Sequence, residues 1–271
     1  MLPCAPRGES FCAAFSGTML QVDSANQAQP RILPAAYKYW ADRASQAGSL
    51  AATRDLFTAF WEFLRDSTPQ RLRSRFGDAD YDWDYRVNTT SGAVGWRDRL
   101  LGAFLSAYQP TDPASFREVL DALAQHTDLS FSEFTFIDLG SGKGRTLLMA
   151  SDYPFRRIVG VELLPAWHRI AQQNLASYKS DSQRCFTIES ICADATSFPL
   201  PAGPLVIYLF NPFPEADLRR ALRNLQQSLA TSPRAAYLLY LNPQLDHVLA
   251  EGGHLQKIAG THQYSIFAAS V

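Results

Sequence analysis

The sequence predicts an α/β protein, a doubly wound and mostly parallel sheet of seven strands carrying a helical N-terminal extension. Three observations support this. From Phe134 onward, short apolar and β-branched runs alternate with helical stretches. One run, Leu205 to Phe210, is almost continuously apolar, as a central parallel strand buried on both faces should be. Ahead of Phe134 the apolar spacing is helical instead. The 271 residues suffice for one large α/β domain with an added segment. We divide the chain into 1–30, expected to be disordered, 31–107, a helical cap, and 108–271, the alternating domain. No internal repeat interrupts it.

Each element follows in order. Between Ile32 and Arg65, Tyr37, Trp40, Leu56, Phe57, Phe60, Trp61 and Leu64 recur at helical spacing, and Ser45 to Ser49 breaks the pattern into two helices. A packed pair burying its aromatics is expected. Phe76 to Tyr85 then alternates Asp78, Asp80, Asp82 and Asp84. It lacks the sixth-position glycine and terminal glutamate of a calcium loop, so a solvated, aromatic-anchored loop is expected. Val87 to Gly95 is turn-rich and reads as a flexible lid. A helix is expected from Arg97 to Tyr108. After it, Asp112 or Thr111 caps a second helix with Pro113 at its first position, burying Phe116, Val119, Leu120 and Leu123. Further strands are expected at 157–162, 186–192, 205–210 and 236–241, and a closing hairpin at 255–259 and 264–268. Helices fill 163–178, 215–229 and 244–250.

Composition excludes several classes of function. With 25 Lys+Arg against 26 Asp+Glu the net charge is -1, so no global positive field attracts nucleic acid. Cys4, Cys12, Cys185 and Cys192 lack metal or disulfide spacing, and the last two are expected to be reduced and buried. The five histidines are scattered, His168 reads as a surface residue, and no metal is expected. The apolar run Phe11 to Leu20 lacks the basic flank and cleavage site of a signal peptide, and Met19 offers an alternative start. No stretch has the apolar length of a membrane span. The expectation is a soluble cytoplasmic chain.

The most informative stretch is Phe134 to Arg145, FTFIDLGSGKGR, which runs strand, tight turn, helix. Glycines there admit positive φ and let a ligand approach the backbone. The spacing G-x-G-x-G differs from the dinucleotide fingerprint, which has glycine where Arg145 stands, and no Ser or Thr follows Lys143 as a P-loop requires. In an open α/β sheet the ligand sits beyond the carboxyl ends of the strands, and the next three strands end in Glu162, in Asp194-Ala195 and in Asn211-Pro212-Phe213. Glu162 lies 162 − 138 = 24 residues past Asp138, close to the roughly twenty at which an acid reaches a ribose.

Ile137-Asp138-Leu139 with G-x-G-x-G, followed by VGVELLP and YLFNPF, resembles class I (seven-strand, Rossmann-like) S-adenosylmethionine-dependent methyltransferases, over about Tyr108 to Leu241. The resemblance makes 108–271 an S-adenosylmethionine-binding catalytic domain and 31–107 a substrate region. It implies that Asp138, Leu139, Gly140, Ser141, Gly142 and Gly144 surround the methionine and ribose, and that Glu162 takes the ribose hydroxyls beside Leu163. Asp194 and the Ala195 N–H would read adenine. Tyr108 and Thr111, in a Tyr-x-Pro-Thr segment, would line the methionine end. Asn211-Pro212-Phe213 is similar to the Asn/Asp-Pro-Pro-aromatic motif of amino-group methyltransferases with one proline missing, which implies a catalytic site for an amine-bearing substrate, a protein lysine side chain or a small molecule. S-adenosyl-L-homocysteine would be the product. Two other readings stay open. RNA or DNA adenine as acceptor would use Arg71, Arg73 and Arg75 beside Phe76, and a non-catalytic cofactor-binding subunit would not need the Asn211 motif. Oligomeric state is not readable from the residues.

Overall fold

The computed structural model describes residues 31–66, 79–90, 100, 109–251 and 253–269. Two helices, α1 (Ile32–Ala47) and α2 (Ser49–Asp66), meet at Gly48, whose φ of 85° permits the sharp reversal. A short α3 (Ala79–Tyr85) and then α4 (Pro113–His126) precede the sheet. The alternating part runs β1 (Thr135–Leu139), α5 (Arg145–Ala150), β2 (Arg157–Glu162), α6 (Pro165–Ser177), β3 (Ile188–Cys192), β4 (Leu205–Leu209), α7 (Glu215–Thr231), β5 (Ala236–Leu241), α8 (Asp246–Ala250), β6 (Leu255–Gly260) and β7 (Tyr264–Ala269).

The seven strands order as β3-β2-β1-β4-β5-β7-β6. The five from β3 to β5 are parallel, and β7 runs antiparallel to both β5 and β6, as the expected closing hairpin requires. β1 sits at the centre, with Ile137 in register with Val159 and Ile207, and all five of its residues are buried. Period-two alternation sorts its side chains between two cores. Phe136 packs with Val206, Tyr208 and the Phe116, Leu120 and Leu123 face of α4. Ile137 and Leu139 pack with Leu218 and Leu225 of α7 on the other side. α4 starts where the sequence places it: Asp112 accepts from the Ser115 N–H at 2.9 Å, and Pro113 occupies the first turn.

The N-terminal helices join this sheet through a third apolar cluster, in which Ala35 and Leu100 meet Leu164 and Trp167 at the start of α6. From the same helix, Lys38 reaches across to Asp217 of α7 at 2.6 Å. α1 thus borders the strand ends from the β2 side to the β4 side. Only part of the expected aromatic burial occurs. Leu56 and Phe63 pack inward, whereas Tyr37, Phe57, Phe60, Trp61 and Leu64 remain exposed, because a helix pair lying on a domain has one face to bury.

Three local expectations are corrected. The aspartate-rich stretch is helical over Ala79–Tyr85 rather than a solvated loop. Tyr81 and Tyr85, four residues apart, pack in a tilted pair on one face at 4.7 Å, Tyr85 continues to Tyr178 at 5.3 Å, and that packing outweighs the polarity of the intervening acids. The described start of the expected lid is fixed: Thr89 and Thr90 are buried, and both backbone N–H groups donate to Asp82. His168 is half-buried and shares a 2.8 Å hydrogen bond with Ser190, while Cys192 is half-buried and Cys185 fully so. The expectations for 1–30, Cys4, Cys12, Arg71, Arg73, Arg75, Tyr108 and most of the Arg97–Tyr108 helix lie outside the described residues. Among the described residues, no helix is long and apolar enough to cross a membrane.

Candidate active site

The turn after β1 is built by close approach. The N–H groups of Gly140 and Ser141 both donate to the Val161 carbonyl, at 2.9 and 3.1 Å, curling the turn onto the end of β2. Gly140 has φ 95°, and a Cβ placed there would stand 2.5 Å from the Pro212 Cβ, so only glycine lets the turns after β1 and β4 touch. Gly160, inside β2, makes room in the same way for the Ser141 side chain, 2.6 Å from where its Cβ would be. Ser141 Oγ is buried with no hydrogen-bond partner.

Two acids stand behind this turn. Glu162 is buried and accepts from the Gly142 N–H at 2.8 Å and the Leu164 N–H at 2.7 Å, tying the turn after β1 to the one after β2. Asp138 is buried and accepts from the Thr146 hydroxyl. Burial pushes both carboxyls up to about 7, against the hydrogen bonds that favour their ionised forms. The negative charge of Glu162 adds to the rise at Asp138. After β3, Asp194 Oδ1 accepts from the Thr196 N–H and hydroxyl, at 2.9 and 2.7 Å, closing a tight turn.

These ends border one cleft of about 1030 Å³, including its open mouth. Of the residues expected at the site, Thr111, Asp138, Gly140, Ser141, Glu162, Leu163, Asp194, Ala195, Pro212 and Phe213 line it. Four do not line it. Leu139 points into the core with Ile207 and Leu218. Gly142 spends its N–H on Glu162, and Gly144 donates to the Ser141 carbonyl at 2.8 Å while packing against Ala171.

Asn211 is the fourth, and its position revises the expected role. Its φ is 44°, its Oδ1 accepts from the Tyr240 hydroxyl at 2.7 Å, and its Nδ2 donates to the Asn242 carbonyl at 2.6 Å. The amide thus clamps the turn between β4 and the end of β5, leaving Pro212 and Phe213 as the parts of that turn that face the cleft.

Several lining residues were missed in the sequence. Lys38 and Asp217 come from elements far apart in the chain and leave no local signal. Tyr208 shares a 3.1 Å hydrogen bond with Thr111, and a hydroxyl in the otherwise apolar Leu205–Phe210 run was the available clue. Arg145 is 2% exposed, and a cation directly after the third glycine was another. Among the described residues, no group of three His, Cys, Asp or Glu side chains is placed to hold a metal.

Residues 136–232 match the family described as a methyltransferase domain, a span that holds all four strand-end motifs. No curated protein matches the sequence. Similar solved structures include the human methyltransferase 10 domain containing protein, 12% identical with a TM-score of 0.46, over 75% of this chain and 98% of that one. Another is the glycopeptide N-methyltransferase MtfA, at 15% identity and a TM-score of 0.44, over 58% of this chain and 90% of that one. An RNA methyltransferase from Salinibacter ruber in complex with S-adenosyl-L-homocysteine is 14% identical with a TM-score of 0.38, over 59% of this chain and 92% of that one. The domain match lies over the central strands of a seven-stranded sheet whose strand ends share one cleft, so this part of the chain is similar to methyltransferase domains.

Proposed function

We propose that this cleft holds S-adenosylmethionine, adenine toward Asp194-Ala195 and methionine toward the turn after β1, and that the enzyme methylates an amine nitrogen presented by the turn after β4. The acceptor is a protein lysine side chain or a small-molecule amine. The observation that supports this reading is the contact between the turns: a Cβ at Gly140 would stand 2.5 Å from the Pro212 Cβ, so the turn after β4 lies directly against the turn after β1. The residues also fit the cofactor chemically. Asp138 suits a cationic amino group, Glu162 vicinal hydroxyls and Asp194 an exocyclic amine, while Ser141 Oγ is buried in the cleft wall without a partner.

Bound there, the cofactor supplies an electrophilic methyl group. The chain's part is to present a neutral nitrogen in line with it. An alkyl amine of ordinary pKa near 10.4 is almost wholly protonated at neutral pH, and an apolar wall made by Pro212 and Phe213 favours its uncharged form. The Phe213 ring offers its π-face to the positive charge that grows on the nitrogen. Asn211 acts as a positioning residue, since Tyr240 and Asn242 fix its amide and its amide fixes the turn. Alignment and exclusion of water then supply the rate rather than a strong base.

The test is calorimetric titration with S-adenosylhomocysteine, followed by transfer of radiolabelled methyl to fractionated lysate. One binding site and label in protein or small amines are expected. Label confined to nucleic acid refutes the amine acceptor, and absence of binding refutes the site.

A further inference from the structure

α7 begins directly after the Pro212-Phe213-Pro214 turn, and its first turn is bound back to it, the Asp217 N–H donating to the Pro214 carbonyl at 3.0 Å. Asp217 and Arg220, three residues apart, share one face of that helix, and both line the cleft together with Lys38 of α1. The Asp217 side chain is 10% exposed and accepts from both neighbours, from Lys38 Nζ at 2.6 Å and from Arg220 Nη2 at 2.5 Å. A buried carboxylate needs a countercharge, but this one has two. It also stands in the first turn of its helix, where the backbone dipole already favours negative charge. The cluster therefore carries a net positive charge that no acid among the described residues offsets. Glu215 is taken by Arg219, which does not line the cleft. The other charged lining groups, Asp138, Arg145, Glu162 and Asp194, stand at or after the ends of β1, β2 and β3.

The side chains of Lys38 and Arg220 are 41% and 45% exposed, so both reach solvent at the open mouth of the cleft. Each spends one donor on Asp217 and keeps others. Two cations held together by a shared carboxylate, with donors to spare, suit an oxyanion. We propose that Lys38 and Arg220, bridged by Asp217, form an oxyanion subsite at the cleft mouth that selects an acceptor amine carrying a carboxylate or phosphate of its own. This rests on the cleft being the methyl-transfer site. The apolar wall of Pro212 and Phe213 takes the amine, and the cations on the helices beyond that wall take the anion. An acidic amine is gripped at both ends, a plain amine at one. Because Lys38 belongs to α1, the N-terminal helices share in the choice of acceptor.

The test is calorimetric titration of inorganic phosphate and, separately, acetate into protein saturated with S-adenosylhomocysteine, at low ionic strength so that the charges are not screened. Wild type should bind at least one of the two anions, and the tighter one names the acceptor's group. Lys38→Met and Arg220→Gln should each weaken that binding about tenfold, as loss of a charge-assisted hydrogen bond does. Lys38→Arg, which keeps the charge, should stay within about threefold of wild type. Thermal unfolding confirms that each variant is folded, and either charge-removing variant alone decides. In the radiolabel assay, the amount of lysate fraction that gives half-maximal transfer should rise about tenfold in both. Loaded wild type that binds neither anion, or variants that bind it as wild type does, overturn the subsite and leave the cofactor site standing. An unchanged half-maximal amount overturns its part in acceptor choice. Failure of wild type to bind S-adenosylhomocysteine or to transfer label refutes the reading of the cleft instead, and the anion titration still decides whether the subsite exists.

Discussion

The two walls of the cleft are held by different chemistry. On the wall formed by β1 and β2, the bracing groups are ionisable: Glu162 ties two turns, and Lys143 and Arg145 are gripped by Asn88, Thr89, Thr90 and Asp82. On the wall formed by β4 and β5, the bracing groups are neutral, the Asn211 amide held by the Tyr240 hydroxyl and the Asn242 carbonyl. Buried charges cost desolvation and respond to pH, but they orient charged ligands strongly. Neutral hydrogen bonds fix geometry at little cost and leave the chemistry beside them insensitive to pH. The contrast fits the proposed reading, in which the first wall would recognise a charged cofactor and the second would need only shape and an apolar surface.

The contrast breaks most completely where the walls touch. Gly140→Ala adds a Cβ 2.5 Å from the Pro212 Cβ at a φ of 95°, a left-handed conformation that itself costs a side chain roughly 1–2 kcal/mol. Both functions should fail together: S-adenosylhomocysteine affinity and methyl transfer should each drop by about 100-fold or more, while circular dichroism shows the sheet retained. A loss confined to one function would mean that the walls do not meet as described.

On the neutral wall alone, Tyr240→Phe removes the hydroxyl that holds Asn211 Oδ1. Loss of one hydrogen bond of about 1 kcal/mol should slow single-turnover transfer roughly fivefold and leave cofactor affinity unchanged. An equal loss of affinity would show that the clamp serves the donor side too.

The smallest effect concerns pH and belongs to the charged wall. Burial raises Asp138 and Glu162 to about 7 in the folded chain, whereas in the unfolded chain they titrate near 4. Between those values the folded state binds more protons than the unfolded one, so stability falls as pH rises and levels off above 7. Ligand-free protein should therefore melt a few degrees lower at pH 8 than at pH 5, and Asp138→Asn should flatten part of that slope. Affinity for S-adenosylhomocysteine should move the other way, tightening as Asp138 ionises to meet the cofactor's amino group. A melting temperature that is flat or rising over this range would show that the carboxyls are not held neutral by burial.

What the sequence revealed divides along the same line. β5 coincides with its expected span, β2 does too, and the closing hairpin and the Asp112 cap appear where they were read, because periodicity, caps and turn residues are local signals. Most of the strand-end residues likewise reach one cleft, since a parallel sheet brings its strand ends to one edge. Two kinds of information were not local. Which backbone N–H meets which acid depends on the close packing of turns, so Gly142, Gly144 and Asn211 proved to be braces for the site rather than its lining. The bracing role of Asp82 depends on Thr89, Thr90 and Arg145, the last of them 63 residues away, and no pattern within Asp80 to Asp84 distinguishes it from its exposed neighbours.

The division of labour between the walls is tested most directly by one calorimetric comparison, titration of S-adenosylhomocysteine into Asp194→Ala and Asn211→Ala beside wild type. The account predicts that Asp194→Ala weakens binding about tenfold, or about 1.4 kcal/mol, and that Asn211→Ala binds within about threefold of wild type although its methyl transfer is slow. Equal dissociation constants for the two variants, or weaker binding by Asn211→Ala than by Asp194→Ala, would contradict it.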